Sequence, residues 1–266
     1  MSTQIIIVLG LTFLINLITT LSYAVRIVGI RTGRIAVSFA LFNILVLISR
    51  TANGFQAPLL AKTIETNINS GIGENLFEFR LIILSCTVAT ILGGFLIPTF
   101  QRILSIAVNK FSIYKSVPKL LMYGFTKSGV TSIKDSLVIP SPKNISAIHF
   151  QADFPWKVFL MNVIAVAIIT IGVLSSLYAG YIDPDFRTTA SSLSAVINGI
   201  ATILMFIFID PFLSIMTDDV VLGKTKESLF RKYIVYMVFA RVLGTIIAQF
   251  IFIPSSGLIA WIAGMI

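Results

Sequence analysis

A chain of 266 residues that is 56% hydrophobic and only 12% charged is too apolar for an ordinary soluble domain and reads as one polytopic, all-α membrane domain, 1–266. Its single cysteine, Cys86, excludes a disulfide framework and a thiolate metal centre. The net charge of +9 lies mainly in loops, which points to anionic lipid headgroups as neighbours and away from nucleic acid.

A spanning helix needs about 20 mainly apolar residues. Six segments qualify: 2–25, 35–60, 81–107, 157–182, 189–216 and 232–262. No Lys or Arg precedes Arg26, so the first segment lacks the charged start of a signal peptide and is expected to be a retained helix. Asn16, Thr19, Thr20 and Tyr23 recur at i, i+3, i+4 and i+7, a polar stripe that leads to Arg26. The stripe suits either a headgroup path or hydrogen bonding between helices.

The second segment contains "SRTANG", Ser49 to Gly54. An arginine near mid-membrane costs about 2.5 kcal/mol or more, so Arg50 should face a polar cleft or a partner. Asn53 and Gly54 lie one turn on. Two readings stand: an anion-binding group in a cleft, or a side chain paired with an outer carboxylate such as Glu65 or Glu78. In the third segment, Cys86 reads as a small buried apolar residue.

The stretch from about 108 to 155 is a basic connection without a span. Val117, Leu120, Leu121 and Phe125 fall at helical spacing among Lys115, Lys119 and Lys127, the pattern of an amphipathic segment lying in the membrane interface. Residues 138–156 hold three prolines and read as loop. His149 is the only histidine, so no metal site is expected. In the fourth segment Gly172, Ser176 and Gly180 form a small-residue face for close helix packing.

Asp210 lies near the end of the fifth segment and Arg241 about two and a half turns into the sixth. Their depths are compatible with a pair, either a structural ion pair or a proton relay. "LGKT" at 222–225 lacks the first glycine of a phosphate-binding loop, since position 218 is Asp. No nucleophile–base–orienter set is visible, so no catalytic residue and no cofactor are expected.

Fifteen of the twenty Lys and Arg fall in the loops on one side of the six segments, and three on the other. The basic loops should be cytoplasmic and both termini outside. Three spans on each side of the long connection give halves of opposite topology, the precondition for an inverted repeat.

"YAVRIVGIRTGRIAVSFALFNILVLISRTANGFQAPLLAK", Tyr23 to Lys62, resembles the first conserved block of the Amj family of bacterial lipid II flippases, an alternate to the MurJ type. The matching positions include Arg26, Arg31, Ser49, Arg50, Asn53 and Pro58. The resemblance implies movement of an undecaprenyl-pyrophosphate-linked disaccharide-peptide from the inner to the outer leaflet of the cytoplasmic membrane, for peptidoglycan synthesis, with no known protein partner. It brings no established functional residues. Chemistry suggests them: arginine grips pyrophosphate oxygens in pairs. Arg26 and Arg31 are therefore expected to collect the headgroup, and Arg50 with Asn53 to hold it in transit. The rival expectation is a small-solute or proton-coupled carrier built on Asp210 and Arg241.

Overall fold

A computed structural model describes residues 2–73, 75–138 and 154–266. Most of the expected loop 138–156, including His149, therefore lies outside the described residues. Among the described residues nine α-helices follow in order: α1 (Thr3–Thr32), α2 (Ile35–Asn69), α3 (Leu76–Tyr114), α4 (Val117–Gly124), α5 (Lys127–Asp135), α6 (Trp156–Ile182), α7 (Arg187–Leu204), α8 (Asp210–Val221) and α9 (Glu227–Ala263). A π-helical turn, Met205–Ile209, joins α7 to α8 into one long rod. Among the described residues there is no strand.

Among the described residues six helices are long and apolar enough to cross a membrane, with α7, the π turn and α8 counting as one. They run to between 27 and 39 residues, longer than the expected windows. At about 1.5 Å per residue, such rods exceed a hydrocarbon core of roughly 30 Å, so they tilt or protrude. Pro58, Pro98 and Pro254 lie within helices, not at their ends. Pro211 lies in the first turn of α8, directly after the π turn. Proline withholds an amide donor and crowds the preceding turn, and the wider π turn accommodates that defect.

Local chemistry sets the ends. The Ser2 side chain accepts from the Ile5 amide at the start of α1, and Gly33 closes that helix at φ 65°. Asn75 caps α3 by accepting from the Glu78 amide. A Cβ at Gly29 would come within 2.9 Å of the Ile35 Cα, so glycine permits the tight approach of α1 and α2.

The helices form two triads built alike. In the first, α1 packs against both α2 and α3, which touch each other little. In the second, α6 packs against α7 and α9 in the same manner. The triads meet mainly where α9 lies on α3 and α2 lies on α6. Gly172 and Gly180 of α6 face α7 at Asn198 and Arg187, and Gly244 of α9 lies against the Val163 carbonyl of α6. Small residues let these backbones approach, as packing between membrane helices requires.

The apolar core has two main parts. One contains Ile18, Val25, Val28, Phe42, Leu104, Val108, Phe159, Phe230 and Met237. The other contains Ile5, Val8, Leu60, Phe79, Ile83, Leu174 and Phe252, with the Phe79 and Phe252 rings stacked at 5.7 Å. On α1, α2, α3 and α9 the fully buried residues between these two parts are largely polar or small. They include Thr12, Gln56, Thr90, Arg241 and Thr245, all buried.

Candidate functional site

The polar side chains gather in three places. At the end of the bundle that carries the basic loops, Arg26 of α1 points at α8. Its Nη2 lies 3.6 Å from Asp210 Oδ1, and its Nη1 donates to Ser214 Oγ at 3.0 Å. The guanidinium also covers the Phe39 ring of α2 at 5.3 Å. The π turn sets the azimuth of α8 and so brings Asp210 and Ser214 to Arg26.

One turn further along α1, Arg31 donates through Nε and Nη2 to the same oxygen, Glu227 Oε1 of α9, at 2.8 and 2.7 Å. Its Nη1 donates to Gln101 Oε1 at 3.4 Å. Arg31 and Gln101 also line an open pocket of about 470 Å³ with Arg102, Ser105, Ser132, Asp135 and Ser136. α5 forms one wall of it, and the chain beyond is held to α3 by Thr99, whose Oγ1 both donates to the Val138 carbonyl and accepts from its amide at 3.1 Å. Two arginines, an amide and several hydroxyls make this pocket suited to an oxyanion, with Asp135 limiting its net charge.

The second place is the polar layer within the bundle. Arg241 is only 4% exposed. Its Nη2 donates to Asn16 Oδ1 at 3.4 Å, and the Tyr23 side chain lies nearby. Arg241 Nε is buried without a partner. Asn16 donates to the Thr12 carbonyl, and Thr12 Oγ1 accepts from Gln56 Nε2 at 3.0 Å. Asn162 of α6 donates to Tyr23 Oη and to the Met237 carbonyl, while its own Oδ1 has no partner. The expected pair of Asp210 with Arg241 is not formed. Among the described residues Asp210 takes Arg26 as its ion-pair partner, and no carboxylate pairs with Arg241. The rotation that the π turn imposes directs Asp210 toward α1.

The third place is the outer surface of α2. Arg50 and Asn53 are exposed, and neither makes an ion pair or a hydrogen bond among the described residues. Arg50 therefore has neither Glu65 nor Glu78 as partner. Asn53 shares a helix face with Leu60 and Ile64, seven and eleven residues on. Those two are buried, as is Phe42 eleven residues before, while Asn53 is open, so the bundle leaves this face of α2 uncovered in its middle.

Of the four residues expected to bind a headgroup, the structure places only Arg31 in a pocket. It ties Arg26 to α8 and leaves Arg50 and Asn53 on a separate surface. Sequence reasoning missed Gln101 and Arg102 as pocket residues because they lie inside the third apolar segment, 81–107. The signal was a polar pair one turn past Pro98 in an apolar helix. It also missed Asn162, an amide six residues into the mainly apolar α6.

The model of the family described as "Amj: Alternate to MurJ" matches residues 11–263. A Bacillus subtilis (strain 168) protein named Lipid II flippase Amj is 39% identical over 265 residues, covering 98% of this chain and 97% of its own. No solved structure matches. A family match across nearly all of α1 to α9, together with this identity over the same length, means that the chain belongs to the Amj family.

Proposed function

We propose that this protein flips lipid II, the undecaprenyl-pyrophosphate-linked precursor of peptidoglycan, from the inner to the outer leaflet of the cytoplasmic membrane. The observation that carries the reading is the end-to-end likeness to a protein named for that activity. The protein is a transporter and not an enzyme. The rival carrier built on Asp210 and Arg241 loses its premise, because those two side chains are not paired.

Carrying such a headgroup through hydrocarbon unaided would strip its hydrogen bonds, at a prohibitive cost. A flippase supplies polar contacts for the head and leaves the tail in lipid. The pocket at Arg31 and Arg102 is the entry point in this reading, because its arginines can hold pyrophosphate oxygens. The asymmetry of the Lys and Arg residues supports a cytoplasmic position for that end, beside anionic lipids, with both termini outside. Phe125 is 88% exposed and Met122 is 70% exposed on the lysine-rich α4 region, which fits a segment dipping into the interface. Arg50 and Asn53, free of internal partners, then contact the headgroup along α2.

The test is leaflet-specific labelling of lipid II in cells whose other flippases are depleted. Expression of the chain should restore labelling in the outer leaflet. Unchanged labelling at normal protein level would sink the proposal. Orientation is checked with Ser2→Cys and an impermeant thiol reagent, which should react from outside in intact cells.

A further inference from the structure

The basic-end pocket and the α2 surface leave one charged group unused. Arg241 lies fourteen residues into the 37-residue α9, about 21 Å along its axis, and beside Asn16 near the middle of the 30-residue α1. Both positions lie well inside the membrane-spanning helices. A guanidinium there is expensive even with help from water, and a buried charge normally has a counter-ion. Arg241 has none among the described residues. Its neighbours are neutral groups: the Asn16 amide, the Tyr23 hydroxyl and the Cys86 thiol. Its Nε hydrogen points at nothing.

The surroundings are polar as a layer and not as a point. On α1 no apolar side chain is fully buried between Val8 and Ile18, where Thr12 is buried and Asn16 half-buried. On α2, Gln56 occupies the gap between Phe42 and Leu60; on α3, Thr87 and Thr90 lie between Ile83 and Ile97. On α9, Arg241 and Thr245 lie between Ala240 and Ala248. The bundle thus interrupts its apolar core at one level and puts a single uncompensated cation there. A structural role alone would be met by a neutral side chain. An anion that arrives and leaves requires the opposite: a charge with donors to spare and no permanent partner.

We propose that Arg241, with Asn16 and Tyr23, is an intramembrane binding site for the pyrophosphate of the lipid-linked substrate, shown here in its shut conformation. This rests on the flippase reading above. The substrate's two phosphates supply the missing negative charge, and Nε with Nη2 presents the two-pronged edge that phosphoryl oxygens accept. The shut form is locked at the basic end by the two ion pairs that join the triads, Arg26 to Asp210 and Arg31 to Glu227. Opening toward that end separates them and exposes Arg241. Cys86 is buried and is the only cysteine in the chain, so it reports on that opening.

The test uses the full chain in proteoliposomes with fluorescent lipid II, alongside Arg241→Gln and Asn16→Asp. The second variant is close to isosteric. It leaves the guanidinium in place but gives it a permanent carboxylate. Both variants should flip lipid II about tenfold more slowly or worse, the loss expected when a charged hydrogen-bonding group is removed or neutralised. Arg241→Gln should melt no lower than the parent, since it removes an uncompensated buried charge. If the Gln variant does not fold, Asn16→Asp decides alone. Parental flipping rates in Asn16→Asp overturn the proposal. If the parent itself flips nothing, the flippase reading falls, and a binding arm judges Arg241 separately. In that arm a short-chain polyprenyl pyrophosphate should slow the reaction of Cys86 with an anionic thiol reagent in the parent and not in Asn16→Asp. Inorganic pyrophosphate and the matching polyprenol show whether the phosphates or the tail are recognised. No protection in the parent, or equal protection in both proteins, overturns the site.

Discussion

Two arginines lie deep in membrane-spanning helices of this protein, and their surroundings differ in almost every respect. Arg241 is enclosed by α1, α3 and α9, with every neighbour neutral. Arg50 stands exposed on α2, and its side chain makes no hydrogen bond or ion pair among the described residues. Neither has a carboxylate. A charge without a counter-ion is therefore not an accident of one location. It recurs in a core region, where the bundle must move to use it, and on a surface region, where it is reachable at once.

The difference predicts opposite responses to substitution. The largest effect is expected at Gly244, beside the core layer. A Cβ there would lie 2.8 Å from the Val163 carbonyl oxygen and from Val166 Cβ. Gly244→Val forces α9 away from α6, and overpacking of this kind costs about 1–3 kcal/mol or more. Size-exclusion chromatography of a fluorescent fusion should show loss of the folded peak. By contrast, Gly54 has nothing within 4 Å of a built Cβ, so Gly54→Ala should be tolerated.

Next in size is Arg50→Ala. It should abolish complementation in cells lacking other flippases while leaving the melting temperature close to parental, since exposed substitutions usually stay within about 0.5 kcal/mol. Full complementation would remove Arg50 from the transport path. A large fall in melting temperature would show that it has a structural partner.

Gln56→Leu tests the core layer more gently. It breaks the buried bond to Thr12 and strands one hydroxyl, with a loss of about 1–2 kcal/mol measurable by thermal unfolding. The smallest effect belongs to Glu227→Gln at the basic end. Its carboxylate is partly exposed and shared between Arg31 and Arg231. Stability should change by about 1 kcal/mol or less, and less again in high salt.

Much of this architecture was legible in the sequence, for physical reasons. Hydropathy and length locate spans because lipid admits only long apolar helices. The small-residue face of α6 was legible because close approach needs Gly172 and Gly180. The partners of the charged residues were not legible. Depth along a helix can be counted from its ends, but azimuth cannot, and Asp210 with Arg241 matched in depth alone. The stripe on α1 shows the same limit. Thr19 and Thr20 turn back to their own helix carbonyls, whereas Asn16 and Tyr23 reach other helices. The spacing that grouped them could not separate these fates.

The π turn at Met205–Ile209 has a consequence for register. A π turn holds one residue more than the α turn it replaces. Deleting one residue there would let α7 and α8 fuse into a continuous α-helix and rotate everything after it by about 100°. Asp210 and Ser214 would swing away from Arg26 together, with no change in the chemistry of any remaining side chain. The extra residue thus works as a phase setting, which decides whether the two triads are latched at the basic end.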